Sequence, residues 1–335
     1  MTDYTQLDAD VSKIRKANPN IAACFDDVEA ILKQLAPPTP PTPPPVAKSW
    51  WLQDATAATV DPQSAAAVKA WAPLAGFGSG NFAATDAYAT ASASDPAYTI
   101  KAAAPSGQQA LGGKTVRIPA GTQPGESHDA HLTVYQPDGT VLDLGNASFS
   151  GSAWSCYSGC LMTATAQQEP SPGNANAAHV PLMAGLITPM DIASGRIAHA
   201  LVVSCGGLGP APCPYPANTD VGYNGPTKIT LGSRLRVNPA VALPSVPAGS
   251  FEAMIAVALQ QFGFYPRDTS GSSAIFSIHG VDTINQTPVQ QAYQAVGVKL
   301  SAPTSSNPAY VNLSSTLTTW IAANLQLLEP PTRIA

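Results

Sequence analysis

The run HDAHLTVYQPDGTVLDLGN gathers the side chains of this protein best suited to chemistry. Asp129 and His131 stand two apart at its start, and Asp143 follows in its second half. A three-residue PDG loop, with Gly139 supplying a positive φ, closes the run into a β-hairpin in which Thr133 faces Asp143. Leu132, Val134, Leu142 and Leu144 then share one face, the core. Asp129, His131, Thr133, Tyr135, Val141 and Asp143 share the other. An imidazole among carboxylates can act as a general base, bind a metal, or donate hydrogen bonds to a sugar. The bland alternative is the polar outer face of a half-exposed sheet. His199, in GRIAHALVV, is a second candidate, because an unpartnered histidine in an apolar strand would be costly. Taken alone, a satisfied core histidine is the better explanation.

The elements that must position these groups are mostly strands. TVRIPAGT, AHLTVYQ, TVLDLGN, HALVVSC, TKITLGSRLRVNP and SAIFSIHG are short runs rich in branched residues, set off by Gly, Pro, Asn and Asp. They predict a mainly β domain over residues 49–335, a sandwich or jelly roll. Three helical inserts are expected at DPQSAAAVKAWAPL, TPMDIASGRI and SFEAMIAVALQQFG, the last with Ser250 as N-cap and Gly263 as C-cap glycine. Ahead of the domain, residues 1–36 carry apolar residues at heptad spacing, with Ile21, Phe25, Val28, Leu32 and Leu35 in one frame. That segment is expected to be helical and to serve oligomerisation or docking. Residues 37–48 contain PPTPPTPPP, a stiff polyproline spacer.

Composition narrows the function classes. Of 335 residues, 16 are Lys or Arg and 21 Asp or Glu, giving a net charge of −5 without a basic run, so nucleic acid is not an expected partner. No stretch approaches the ~20 apolar residues of a membrane helix. The amino terminus lacks the basic start and apolar run of a secretory signal, so the chain is either a mature fragment or leaves the cell by another route. Cys156 and Cys160, and Cys205 and Cys213, bracket short loops that local disulfides could close once outside the reducing cytoplasm. Thiols and a zinc site are the alternatives, the spacing lacking a tight C-x2-C knuckle. Cys24 is read as a small apolar helix residue. No metal or cofactor is expected.

VDPQSAAAV, SDPAY, IPAGT, HDAHLTVYQPDG, VPLMAGLITPMDIASGRIAHALVV, GSRLRV and AVALQQFGFYPRDTSG followed by FSIHGVD occur in an order that resembles a family of secreted actinobacterial domains, mostly of unknown function, with a concanavalin-like β-sandwich. The likeness spans about residues 50–285. It implies a concanavalin-like jelly-roll sandwich facing a glycan, with its polar motif positions at Asp129, His131, Asp143, His199, Arg234 and Asp268. The strand after the hairpin departs from the family pattern, reading VLDLGN without a tyrosine. A heptad segment, a stiff spacer and a glycan-facing domain without a secretion signal form the architecture of a virion appendage. The resulting expectation is a phage minor tail protein, partnered by other tail proteins and by itself through residues 1–36, most simply as a trimer. Its domain would bind a cell-envelope polysaccharide, with Trp154, Tyr157, Tyr215, Tyr223 and Arg234 as contact residues. The alternatives are a lyase or hydrolase using His131, His199, Asp129 and Asp143 with Arg234 balancing substrate charge, a purely structural virion protein, or a secreted mature fragment. One open groove lined by Asp129, His131, Asp143 and His199 would mark a site; dispersal or cover would favour the structural role.

Overall fold

The computed structural model describes residues 49–105, 111, 113–126, 128–163, 175–219, 221–270, 275–282, 284, 287–304 and 308–331. All belong to the larger of two compact units, Pro41–Ala335. The expectations for residues 1–36, the spacer and Cys24 lie outside the described residues.

The described chain is mainly β, built on one large mixed sheet with few helices. Its first half contributes β1 (Asn81–Thr90), β2 (Ala97–Thr99), β3 (Lys101–Ala102), β4 (Thr115–Arg117), β5 (His131–Tyr135), β6 (Thr140–Gly145), β7 (Ser148–Phe149), β8 (Trp154–Cys156) and β9 (Ser158–Thr163). The second half adds β10 (Leu201–Cys205), β11 (Leu235–Val237), β12 (Phe264–Thr269), β13 (Ser277–Val281), β14 (Ala309–Asn312) and β15 (Leu325–Leu327). The large sheet runs β15-β11-β12-β10-β13-β1-β5-β6-β9, with β14 also paired to β1. Three of its pairings, β1 with β13, β1 with β5 and β10 with β12, are parallel, which the strand patterns alone do not announce.

The expected hairpin forms in the expected register, Leu132 opposite Leu144, Thr133 opposite Asp143 and Val134 opposite Leu142. Its apolar face is covered by the two small sheets, β2-β4 and β3-β8-β7. Leu132, Val134, Leu142 and Leu144 pack there with Ile100, Val116, Ile118 and Trp154 in a core of their own. The opposite face is not an outer surface, since His131, Thr133, Tyr135, Val141 and Asp143 are all buried.

The three helical inserts appear as α1 (Ser64–Trp71), α2 (Pro189–Ser194) and α3 (Phe251–Gln261). Thr188 and Asp191 close a capping box on α2, with Pro189 in its first turn. Ser250 accepts the Ala253 N–H at the start of α3 and Gly263, at φ +76°, follows its end. That helix buries Phe251, Ile255, Ala258 and Leu259 in the main core. Two further helices, α4 (Thr287–Ala295) and α5 (Ser315–Asn324), were not expected. None of the described helices is long and apolar enough to cross a membrane.

Candidate functional site

Residues paired directly across a sheet project to the same side. Asp86 pairs with His131, Thr133 with Asp143, Ser204 with Asp268 and with Ser277, and Ala83 with His279. Strict alternation would place Ala83 and Asp86 on opposite faces. The β1–β13 register slips between Ala84 and Asp86, however, and the extra residue brings both to one face. The β10–β12 register slips likewise between Val203 and Ser204, leaving Arg267 as the extra residue on β12. Among the described pairings of the large sheet these are the two register breaks. They fall at the two partners of one buried ion pair.

That pair joins Arg267 Nη2 to Asp86 Oδ2 at 2.8 Å, with both side chains sealed from solvent. The Arg267 Nη2 group also lies 2.7 Å from His279 Nδ1, and its Nη1 donates to the Leu182 carbonyl at 2.9 Å. A guanidinium can only donate, so His279 Nδ1 accepts and Nε2 carries the ring proton. His279 Nε2 therefore donates to Ser204 Oγ, 3.1 Å away. The serine-histidine contact consequently lacks the polarity of a nucleophilic dyad, in which the imidazole must accept the hydroxyl proton. On the other side of Asp86, Oδ1 lies 2.9 Å from His131 Nδ1, and His131 Nε2 donates to the Ala175 carbonyl at 3.2 Å. Asp86 Oδ1, His131 Nδ1 and Arg267 Nε nevertheless have no aligned hydrogen-bond partner, although all are buried.

Burial and charge separate the titrations of this cluster. Burial would raise the Asp86 carboxyl, but the Arg267 and His131 charges outweigh it and hold Asp86 far below the usual carboxylate range. Burial would lower His131, but Asp86 outweighs it and keeps the ring raised. His279 is pushed well down, by burial first and then by the Arg267 charge. Asp143 goes the other way, since burial lifts it to about 6 despite hydrogen bonds from Leu182 N at 2.9 Å and Thr133 Oγ1 at 2.6 Å. Asp268 is also raised, by burial and then by the charge of Asp129. Carboxyls with opposed shifts around a protonated imidazole form a set able to hold and release protons near neutrality.

A loop over 175–182 covers this face, pinned by the cluster itself. His131 donates to the Ala175 carbonyl, Asp143 accepts the Leu182 N–H, and Arg267 donates to the Leu182 carbonyl. Asp268 Oδ2 lies 3.4 Å from Ala177 N, and Ala178 N donates to the Arg267 carbonyl. Backbone strain gathers nearby: Ala130 (φ 41°) precedes His131, Asn146 (φ 51°) donates from its N–H to the Asp129 carbonyl, and His179 (φ 54°) lies in the covering loop.

The structure brings His131 and Asp143 together and separates the other expected residues. Asp129 precedes β5 in an exposed turn, its side chain 55% accessible beside His128 at 3.5 Å, although its charge reaches His131 and Asp268. His199 is not in the cluster; its Nε2 lies 3.3 Å from Asp191 and it anchors α2, whose first-turn carboxylate it compensates. The expected single open groove is thus not found. Arg234 is buried, donating to the carbonyls of Gln53 and Phe262 and lying over the Tyr265 ring, so it cannot balance a substrate charge. Trp154 fills the second core instead of forming a platform, Tyr157 is 61% exposed, and Tyr215 packs on the main core. Tyr223 is partly buried within electrostatic reach of Asp268 and Asp129. The expected Cys156–Cys160 and Cys205–Cys213 bonds are not present in the structure. Cys156 faces the second core while Cys160 stands across from Asp143 on the polar side. Cys205 is buried, and the Cys213 thiol is turned to the Val221 carbonyl at 3.3 Å. Among the described residues no group of three His, Cys, Asp or Glu is arranged to hold a metal. Sequence reasoning overlooked Asp86, Arg267, Ser204 and His279, and FSIHGVD and FYPRDTSG were legible only as motif positions. No family model, curated protein or solved structure matches the chain.

Proposed function

We propose that this chain is a phage minor tail protein whose sheet domain meets a cell-envelope polysaccharide at the partly exposed Ser204 and Asp268, beside the buried Asp86–Arg267 pair. The placement of both register breaks at the Asp86–Arg267 pair carries this reading. A buried ion pair is weak as a stabiliser, since apolar residues of similar volume often serve stability equally well or better. Two bulges and a buried charge network kept together support a built site over a packing accident. Its partly exposed rim, Ser204, Asp268 and Tyr223 with exposed Asp129 nearby, supplies hydroxyl and carboxylate groups suited to sugar hydroxyls. The small sheets layered on the hairpin's apolar face support the jelly-roll sandwich. The heptad segment 1–36 would join tail partners or copies of the chain, and the spacer would carry the domain outward.

A second reading is hydrolysis of the same polysaccharide, favoured by the raised Asp143 and Asp268 carboxyls beside protonated His131. One experiment separates the readings. Full-length protein is incubated with host-wall arabinogalactan, and both retained protein and released fragments are measured, for the native chain and for Asp268→Asn. Retention without fragments, weakened in the variant, supports binding; fragments lost in the variant support hydrolysis. With neither, the structural virion role stands and the proposal fails.

A further inference from the structure

We infer that the cavity between α4 and the chain leading into β14 binds an acidic monosaccharide, a hexuronate either free or at the end of a glycan. This cavity is separate from the Ser204 and Asp268 edge. Ala83 shares a face of β1 with the Asp86 network, whereas Phe82 points the other way and its ring centre lies 5.2 Å from that of Tyr293 on α4. The cavity opens beside Tyr293, on that opposite side, and measures about 370 Å³. Small-molecule sites begin near ~300 Å³, so one sugar ring fits with room for its attachment.

The walls of the cavity are fixed by local hydrogen bonds. Helix α4 stops before Gly297, whose φ of +78° reverses the chain. Gly297 N donates to the Gln294 carbonyl at 3.0 Å and Val298 N to the Tyr293 carbonyl at 2.9 Å, the paired bonds of a Schellman stop. The reversed chain runs back along α4 and is tied to β14 at Ser301. Its N–H donates to the Tyr310 carbonyl at 2.8 Å, and its Oγ accepts the Tyr310 N–H at 3.2 Å. Buried Val298 and the buried Tyr293 ring supply an apolar wall, the Tyr293 hydroxyl being spent on the Val281 and Ile187 carbonyls at 3.0 and 3.3 Å. Gln290 and Gln294, four apart on α4, stand with Lys299 and Ser301 as the exposed polar groups around the cavity. Among the described residues, the side chains of Gln290, Gln294 and Lys299 make no hydrogen bond or ion pair, and no acid lines the cavity. Lys299 is thus an ammonium without a counter-charge here, and Ser301, its oxygen already accepting, has its proton to offer. Those donors suit a carboxylate, while two carboxamides that both donate and accept suit ring hydroxyls. The CH face of the sugar rests on the apolar wall. A neutral sugar leaves Lys299 uncompensated, and inorganic phosphate leaves the wall and the carboxamides unused.

Calorimetric titration of the full chain at physiological salt provides the test, with D-galacturonate, D-galactose and inorganic phosphate as probes. The native protein is compared with Lys299→Met and with the double variant Gln290→Ala/Gln294→Ala, each first shown to be folded by its unfolding transition. Galacturonate should bind saturably and ~5-fold more tightly than galactose, the margin of a good exposed ion pair. Lys299→Met should abolish that margin without weakening galactose, and the double variant should weaken both sugars. No saturable heat from galacturonate by ~10 mM, or equal affinity for galactose, overturns the inference. So does a margin that survives Lys299→Met, or a double variant that binds both sugars as before. Phosphate binding as tightly as galacturonate overturns the sugar assignment, because the cavity then reads charge alone. The glycan reading at Ser204 and Asp268 is untouched by these outcomes, since it is decided by arabinogalactan retention and Asp268→Asn.

Discussion

Replacing Asp143 by asparagine isolates what this face costs the fold. Asp143 accepts the Leu182 N–H and the Thr133 hydroxyl, and burial lifts its carboxyl from 3.8 to about 6. An acid raised on folding binds its proton in the native state while the unfolded chain has lost it. Its contribution is therefore favourable at low pH and falls as pH rises from the unfolded value to the folded one. At ~1.36 kcal/mol per pH unit, that interval removes roughly 3 kcal/mol between pH 4 and pH 6. Asparagine has no such titration. Its carbonyl can take the Leu182 N–H and its amide can donate to Thr133, whose hydroxyl turns to accept. Urea unfolding of both proteins at pH 4.0 and 7.5 should thus show the variant gaining on the native protein by about 3 kcal/mol across the interval. With a slope near 3 kcal/mol per molar, the relative midpoint moves by about 1 M. A difference that stays constant with pH, or that favours the native protein as pH rises, refutes the assignment of a raised carboxyl.

Asp86→Ala leaves Arg267 and His131 without their counter-charge and should cost about 3–5 kcal/mol by urea unfolding at pH 7, so a loss below ~1 kcal/mol would contradict the network. His199→Ala, by contrast, removes only the anchor of α2 and should cost roughly 1 kcal/mol while leaving retention on arabinogalactan unchanged. Intact-mass measurement without reductant should show no loss of hydrogens from cysteine pairing, with Cys213 labelled ahead of buried Cys156 and Cys205; a mass lower by about four hydrogens would restore the disulfides. Residues 49–335 expressed alone should be folded and monomeric by light scattering, with self-association confined to the chain that includes residues 1–36; an oligomeric truncation would remove the assembly role from that segment.

The hairpin was legible because alternation and a PDG turn specify register locally, and every pair from Leu132–Leu144 to Val134–Leu142 follows from it. β1 was not legible. Its sequence NFAATDAYAT is rich in alanine and poor in branched residues, and its strand character comes from neighbours on β5, β13 and β14 that lie far along the chain. Asp86 went unseen with it. Arg267 and His279 were hidden for a related reason, because a bulge is a relation between two strands and appears in neither alone. His199 and Arg234 show the reverse error. His199 was suspected as a polar group in apolar surroundings and Arg234 as a motif position that could balance substrate charge, yet one is satisfied by a capping carboxylate and the other by main-chain carbonyls, partners that composition does not reveal.

The same geometry explains why the charges sit in the sheet instead of on a surface loop. Without the extra residue near Thr85, Asp86 would share a face with Ala84 and Phe82, whose ring packs against Phe251 and Tyr293. A carboxylate there would be buried among rings with no cation. With it, one strand pairs through Ala83 with His279 on β13 and through Asp86 with His131 on β5, on a single face. The bulge on β12 places Arg267 between them. Each bulge gives up regular ladder pairing at its position, and together they convert three strands that would carry their polar residues on different faces into one continuous network. The covering loop is then tied down by that network's own donors and acceptors, so fixing the charges and closing the face are one structural event.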